Sequence, residues 1–199
     1  MKPSRLKKQI EFIREIDKLK SIFRKTLLMD GKRYENDAEH SWHVCVMAVL
    51  LSEYANKKIN LLRVIKMLLF HDIVEIYAGD TFCYDEKAAI DQLKRETAAA
   101  RRIYRILPDD QRKEFYHIWR EFDAKKSPEA KYAAALDRLH PILHNYATKG
   151  AAWRENGVTE DKVMNRNKHM GNGAKDLWVF TQALIMDAVR KGYLPKTVI

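Results

Sequence analysis

The sequence predicts an all-α protein of about seven or eight helices, and three observations carry that prediction. Apolar residues recur at steps of three and four through almost all of the 199 residues. Gly (7) and Pro (5) are scarce, which leaves little material for the turns of a many-stranded sandwich. No internal repeat, low-complexity run or Pro/Gly/Ser-rich linker interrupts the pattern, so residues 1–199 are expected to form one domain.

The first helix is expected over 5–22, with Leu6, Ile10, Ile13, Ile16 and Leu19 on one stripe and Lys and Arg on the other face. A polar stretch around Gly31, residues 29–35, follows. Asn36 reads as an N-cap with Glu39 at N3, a capping-box arrangement with Asn in place of Ser or Thr. Its helix should run to about Asn56 and bury Val44, Met47, Ala48, Leu51 and Tyr54. Asn60 caps the next, Leu61 to about Phe70, whose apolar density implies burial on most sides. Residues 71–84 break the pattern: Ile73, Val74 and Ile76 are β-branched, and Gly79 ends the regular stretch. Helical spacing returns over 85–106, 109–123 and 128–148, with Pro108 and Pro128 near helix starts, where a missing N–H does least harm. Two more helices, 160–170 and 174–191, precede Gly192, and no segment reads as a strand. Trp153, Trp178 and Tyr193 read as core packing, so that residues 149–199 cover the rest.

Hydrophobic residues make up 46% and charged residues 32% of the chain, enough for a core and a solvated surface. Cys45 and Cys83 are too few for a disulfide framework or a cysteine zinc site. The N-terminal stretch carries a charge every few residues, unlike a signal peptide, and no apolar stretch is long enough to span a bilayer. A soluble cytoplasmic protein without a membrane partner is the expectation. The net charge of +10 is uneven, with +7 in residues 1–33 and +3 in the rest. That excess suggests an anionic partner, against the plainer reading of a solvated helix face.

The chemistry centres on His71-Asp72. A bare dipeptide proves little in a chain with 7 His. Its setting says more, because it follows a strongly apolar helix, where a buried polar pair needs partners or a metal. Neighbouring side chains on a regular helix diverge by roughly 100°, so both reach one ion only where the helix ends or bends. A break after residue 72 supplies that. His40 is a third candidate, set against a hydrogen-bonded histidine at a helix start, and His43 on much of the same face is its decoy. Asp137, in AALDRLH, is an acid on a helix that otherwise reads as core, costly unless paired or bound to metal. Its plainer partner, Arg138, is adjacent, and adjacent helical residues do not face each other.

His40 in AEHSWH, His71-Asp72 in FHDIVE and Asp137 in LDRLH together resemble the H…HD…D pattern of the HD-domain superfamily of metal-dependent phosphohydrolases. Within it, EHS, then HDIVEIYAGD, then LDR is similar to the HD-domain 5′-deoxynucleotidases. The resemblance covers about residues 20–148. It implies an all-α, often dimeric protein that holds one divalent transition metal (Mn, Co, Fe or Zn) through His40, His71, Asp72 and Asp137. Two imidazoles and two carboxylates suit those ions better than Ca²⁺ or Mg²⁺. The resemblance also makes Glu75 and Asp80 accessory acids, with Asp80 the expected general base, and Arg24 the phosphate-gripping arginine. In the nucleotidases a tryptophan follows that arginine and crowds the sugar 2′-hydroxyl, whereas here the residue is Lys25, a second substrate-binding candidate.

The expected function is therefore hydrolysis of a small phosphate ester, a nucleoside 5′-monophosphate, by a homodimer. Two rivals remain: an HD phosphodiesterase or nucleoside-triphosphate hydrolase, and a basic module that binds nucleotide or nucleic acid without turnover.

Overall fold

The computed structural model describes residues 4–197; the domain expected over 1–199 therefore has its extreme ends outside the described residues. The chain is predominantly helical, as expected. Its α segments are α1 (Arg5–Ile16), α2 (Asp37–Leu50), α3 (Leu61–Phe70), α4 (Glu75–Ala78), α5 (Glu86–Ala89), α6 (Gln92–Tyr104), α7 (Asp109–Ala124), α8 (Pro128–Ala147), α9 (Ala151–Glu155), α10 (Glu160–Asn167) and α11 (Lys175–Arg190). Nine of these have five or more residues, and several end in a 3₁₀ turn.

Among the described residues, the one departure from helical structure and its connections is a small hairpin, β1 (Phe23–Leu27) against β2 (Tyr34–Asn36), antiparallel. Phe23 pairs with Asn36 and Leu27 with Tyr34, so β1 bulges by carrying two more residues than β2 over the same span. Arg24 and Thr26 turn inward while Phe23 and Lys25 face out, a period of two too short to register in the sequence pattern.

Capping works largely as the sequence predicts. Asn36 accepts from the Glu39 amide and Glu39 reaches back to the Asn36 amide, which completes the box at the start of α2. Asn60 caps α3 and Ser127 caps α8, with Pro128 at its start. Two expectations fail locally. The Leu6–Ile10–Ile13 stripe of α1 is exposed; the helix instead docks through Phe12, which stacks on Phe70 and Tyr104. Tyr54 is exposed because α2 ends at Leu50 and a 3₁₀ turn resets the phase.

Three apolar clusters hold the helices. Val44, Met47 and Ala48 of α2 meet Val64, Met67 and Leu68 of α3 across α8, which contributes Tyr132, Ala133 and Leu136. Ile103 and Tyr104 of α6 pack with Phe12, Val74 and Trp119. Trp153, Val163 and Ile185 join α9, α10 and α11 to Ile142 of α8. Tyr104, Trp119 and Tyr132 are the largest side chains fully enclosed, each worth a few kcal/mol by area buried.

Candidate metal centre and its cavity

α3 stops at Phe70, His71 is its C-cap, and Asp72–Val74 tighten into a 3₁₀ turn. That termination, at the Phe70 the sequence suggested, turns both side chains the same way: His71 Nε2 lies 3.1 Å from Asp72 Oδ2. The segment 71–84 is not irregular throughout, since α4 follows directly and stops at Gly79, whose φ of 77° favours glycine. His40 enters from the first turn of α2 and Asp137 from the middle of α8. Asp137 Oδ1 is 3.1 Å from His40 Nε2 and 3.7 Å from His71 Nε2. His40, His71 and Asp72 bring ligand atoms within 4.8 Å of one another. Pro141 has no N–H to give the Asp137 carbonyl, which loosens α8 at this acid.

These residues fit a transition metal on the structure's own terms. His71 Nδ1–H donates to the Leu68 carbonyl at 2.9 Å, which directs Nε2 into the cluster, where that buried atom has no hydrogen-bond partner. All four side chains are buried. Burial opposes charge on His71, but Asp72 and Asp137 outweigh it and push the imidazole up to about 10. Burial and the Arg24 charge push His40 down to about 3. Asp72 and Asp137 remain ionised despite burial, Asp72 through His71 and Arg24, Asp137 through Arg138 and the two imidazoles. Arg138 does reach its neighbour, Nη2 to Oδ2 at 3.5 Å, because its long side chain curls back along the helix.

His71, Asp72 and Asp137 form part of the wall of a cavity of about 340 Å³, near the small end for a small-molecule site, with His40 behind them. Arg24, Lys25, Glu75 and Asp80 all line it. Arg24 is not free: Nη1 bonds Asp72 Oδ2 at 2.8 Å and Asp37 Oδ1 at 3.4 Å. Lys25 is exposed at the mouth. Glu75 is buried, and burial with Asp72 and Asp37 nearby raises its pKa well above the usual range. Asp80, half-buried in the loop after Gly79, is raised by burial against the pull of Arg24.

Several residues here escaped the sequence reading. Asp37 shares a carboxylate cluster with Glu75 and Asp80, their oxygens within 4.8 Å, and burial pushes it up to about 7. Glu35 and His140 are buried beside His40, with His144 buried beyond His140. Asp37 and Glu35 flank the Asn36 cap and read locally as helix-start acids. His140 reads as part of an apolar helix face.

The HD-domain model matches residues 16–178. The chain belongs to the HD-domain family. It is 49% identical to a predicted metal-dependent phosphohydrolase from Magnetospirillum magnetotacticum MS-1, whose crystal structure superposes with a TM-score of 0.93 over 98% of this chain and 100% of that one. It is 30% identical over 135 residues to 5′-deoxynucleotidase HDDC2 of Homo sapiens, a match covering 67% of this chain and 65% of that protein. A protein from Pyrococcus horikoshii OT3 shares the fold at 22% identity, with a TM-score of 0.64 over 92% of this chain and 99% of that one.

Proposed function

We propose that this HD-domain chain is a metal-dependent phosphohydrolase acting on nucleoside 5′-monophosphates, with His40, His71, Asp72 and Asp137 as the metal ligands. The observation that carries the reading is the meeting of those four side chains beside a cavity that also holds an arginine, a lysine and two raised-pKa acids. The similarity to a deoxynucleotidase and to a metal-dependent phosphohydrolase supports the same chemistry.

A divalent ion of the Mn, Co, Fe or Zn type would polarise a phosphate oxygen and acidify a bound water. The other roles belong to the chain. Arg24, with its Nη1 engaged by Asp72, meets the phosphate by its remaining edge, and Lys25 adds charge from the mouth. Asp80 takes the proton of the attacking water; its raised pKa brings it nearer to working pH, which favours general-base catalysis. Glu75, deeper in the wall, orients the water or the sugar. Aromatic walls at Trp119, Phe122 and Trp153 offer faces to the rest of the substrate.

We also read the protein as a cytoplasmic homodimer. Cys45 and Cys83 are unpaired thiols, and among the described residues no helix is long and apolar enough to cross a membrane. Trp42, Val46, Val49 and Leu50 leave an apolar stripe on the outside of α2, the kind of face that a second copy covers.

The test is phosphate release across a panel of nucleoside mono-, di- and triphosphates and a phosphodiester, with chelator and with each metal restored. Monophosphate turnover that returns with metal supports the reading. Turnover of the diester or triphosphates alone moves it to the phosphodiesterase or triphosphatase rival. Salt-dependent nucleic-acid binding without turnover overturns it.

A further inference from the structure

Beside the predicted ligands sits a second buried cluster. Glu35, His43, His140 and His144 bring ligand atoms within 4.8 Å of one another. It meets the first at His40 Nδ1, which lies 3.2 Å from His140 Nδ1, with the rings edge to face, and 3.7 Å from Glu35 Oε2, so that only His140 is within hydrogen-bond reach. Beyond it, His140 Nε2 lies 3.3 Å from Glu35 Oε1 and 3.1 Å from His43 Nδ1. His40, His140 and Glu35 are all within 1% of full burial, so bulk solvent does not reach these contacts.

A neutral imidazole has one donor and one acceptor nitrogen, and only one proton can lie between two facing Nδ1 atoms. We propose that Glu35 and His140 form a positioning chain that keeps the proton of His40 on Nδ1 and so presents its Nε2 lone pair to the metal. The proposal rests on His40 being a ligand. His140 Nδ1 accepts from His40, which places the His140 proton on Nε2. There Glu35 Oε1 or His43 Nδ1 accepts it, and either acceptor leaves His40 in the same tautomer. Metal-binding histidines commonly donate their second nitrogen to a carboxylate or carbonyl. Here an imidazole is inserted between, which extends the chain to a carboxylate on β2.

The alternative use of the cluster is a second ion. His144 Nδ1 is tied to the Leu27 carbonyl at 2.8 Å, and its buried Nε2 has no hydrogen-bond partner; Glu35 Oε2 also has none, although Arg24 Nε and His40 Nδ1 each lie 3.7 Å from it. An ion that took His140 Nε2, however, would force the His140 proton onto Nδ1. His40 would then have to accept at Nδ1 and carry its proton on Nε2, which removes it from the first metal. The positioning chain and a second ion on His140 therefore exclude each other.

Three measurements on the full chain test this. Nitrogen-15 spectra of the zinc-loaded protein should show His140 with its proton on Nε2; a proton on Nδ1 overturns the proposal, and this needs no variant. Manganese titration should show one high-affinity ion per chain, and two with loss of one in His144→Phe would instead make the cluster a metal site. His140→Phe should weaken manganese binding by about 10–100-fold, the usual cost of a lost outer partner. His140→Gln should restore it to within a few-fold, because an amide can accept from His40 and donate to Glu35. Equal affinity in His140→Phe and wild type overturns the chain. Full metal retention in His40→Ala would instead show that the ligand assignment beneath the proposal is wrong.

Discussion

Arg24 Nη1 stands 2.8 Å from Asp72 Oδ2, so the guanidinium proposed to grip phosphate is bonded to a carboxylate proposed to hold the metal. The two functions share one hydrogen bond. Arg24→Ala should therefore do two things, raise KM for every monophosphate and weaken metal retention, whereas Arg24→Lys should keep part of the second effect. Metal content by mass spectrometry and steady-state kinetics separate them. A pure KM effect with full metal content would mean that Asp72 does not need its arginine.

Metal loading should expel a proton. Without metal, His71 is held charged, with its pKa at about 10, and a ligand imidazole must be neutral. Titrating metal calorimetrically at pH 7 in buffers of different ionisation enthalpy should show about one proton released, with affinity rising as pH rises toward 10. No release would place the His71 proton elsewhere.

Asp80→Asn should lower kcat by about 10²–10⁴-fold while metal content stays unchanged, because a general base acts in the transition state. A near-normal kcat would transfer the base role to Glu75, to be tested by Glu75→Gln.

Lys25 sets the sugar preference in the proposed reaction. A flexible, exposed lysine leaves room for a 2′-hydroxyl that an indole would crowd, so wild type should discriminate weakly between AMP and dAMP. Lys25→Trp should penalise AMP more than dAMP in kcat/KM. Strong deoxy preference in wild type would assign that discrimination to another residue.

One stability prediction is independent of the site. Gly150, with φ at 73°, joins α8 to α9, and a Cβ there would stand 1.8 Å from the Tyr193 carbonyl oxygen. Gly150→Ala adds about 1–2 kcal/mol of backbone strain to that clash and should lower Tm by about 5–10 °C. An unchanged Tm would mean that the C-terminal turn at Tyr193 moves aside freely.

What the sequence discloses follows the range of the interactions involved. Asn36 and Glu39 are three residues apart, and their capping box is readable because both partners are local. His71 and Asp72 are readable because a polar pair at the end of an apolar helix is out of place. His140 is not readable. Its meaning comes from His40, one hundred positions earlier, and nothing local marks a histidine between Leu139 and Pro141 as a partner. The same limit hides Asp37, which looks like an ordinary first-turn acid until Arg24 is seen beside it. The hairpin escapes for another reason. Five residues of β1 give at most two full periods, and three of the five, Arg24, Lys25 and Thr26, are polar, so no apolar alternation can emerge.

That hairpin has a consequence for how the chain can change length. Alternation separates Arg24, turned inward, from Lys25, turned out, and β2 places Glu35 under the same ribbon. Because side chains swap faces at every step, deleting one residue before Arg24 would present Lys25 to Asp72 and carry the arginine into solvent. An insertion in the connection at 56–60, between α2 and α3, leaves the centre untouched by comparison. Length variation among related chains should therefore collect in such connections and be rare between 22 and 36, where the ribbon acts as a ruler.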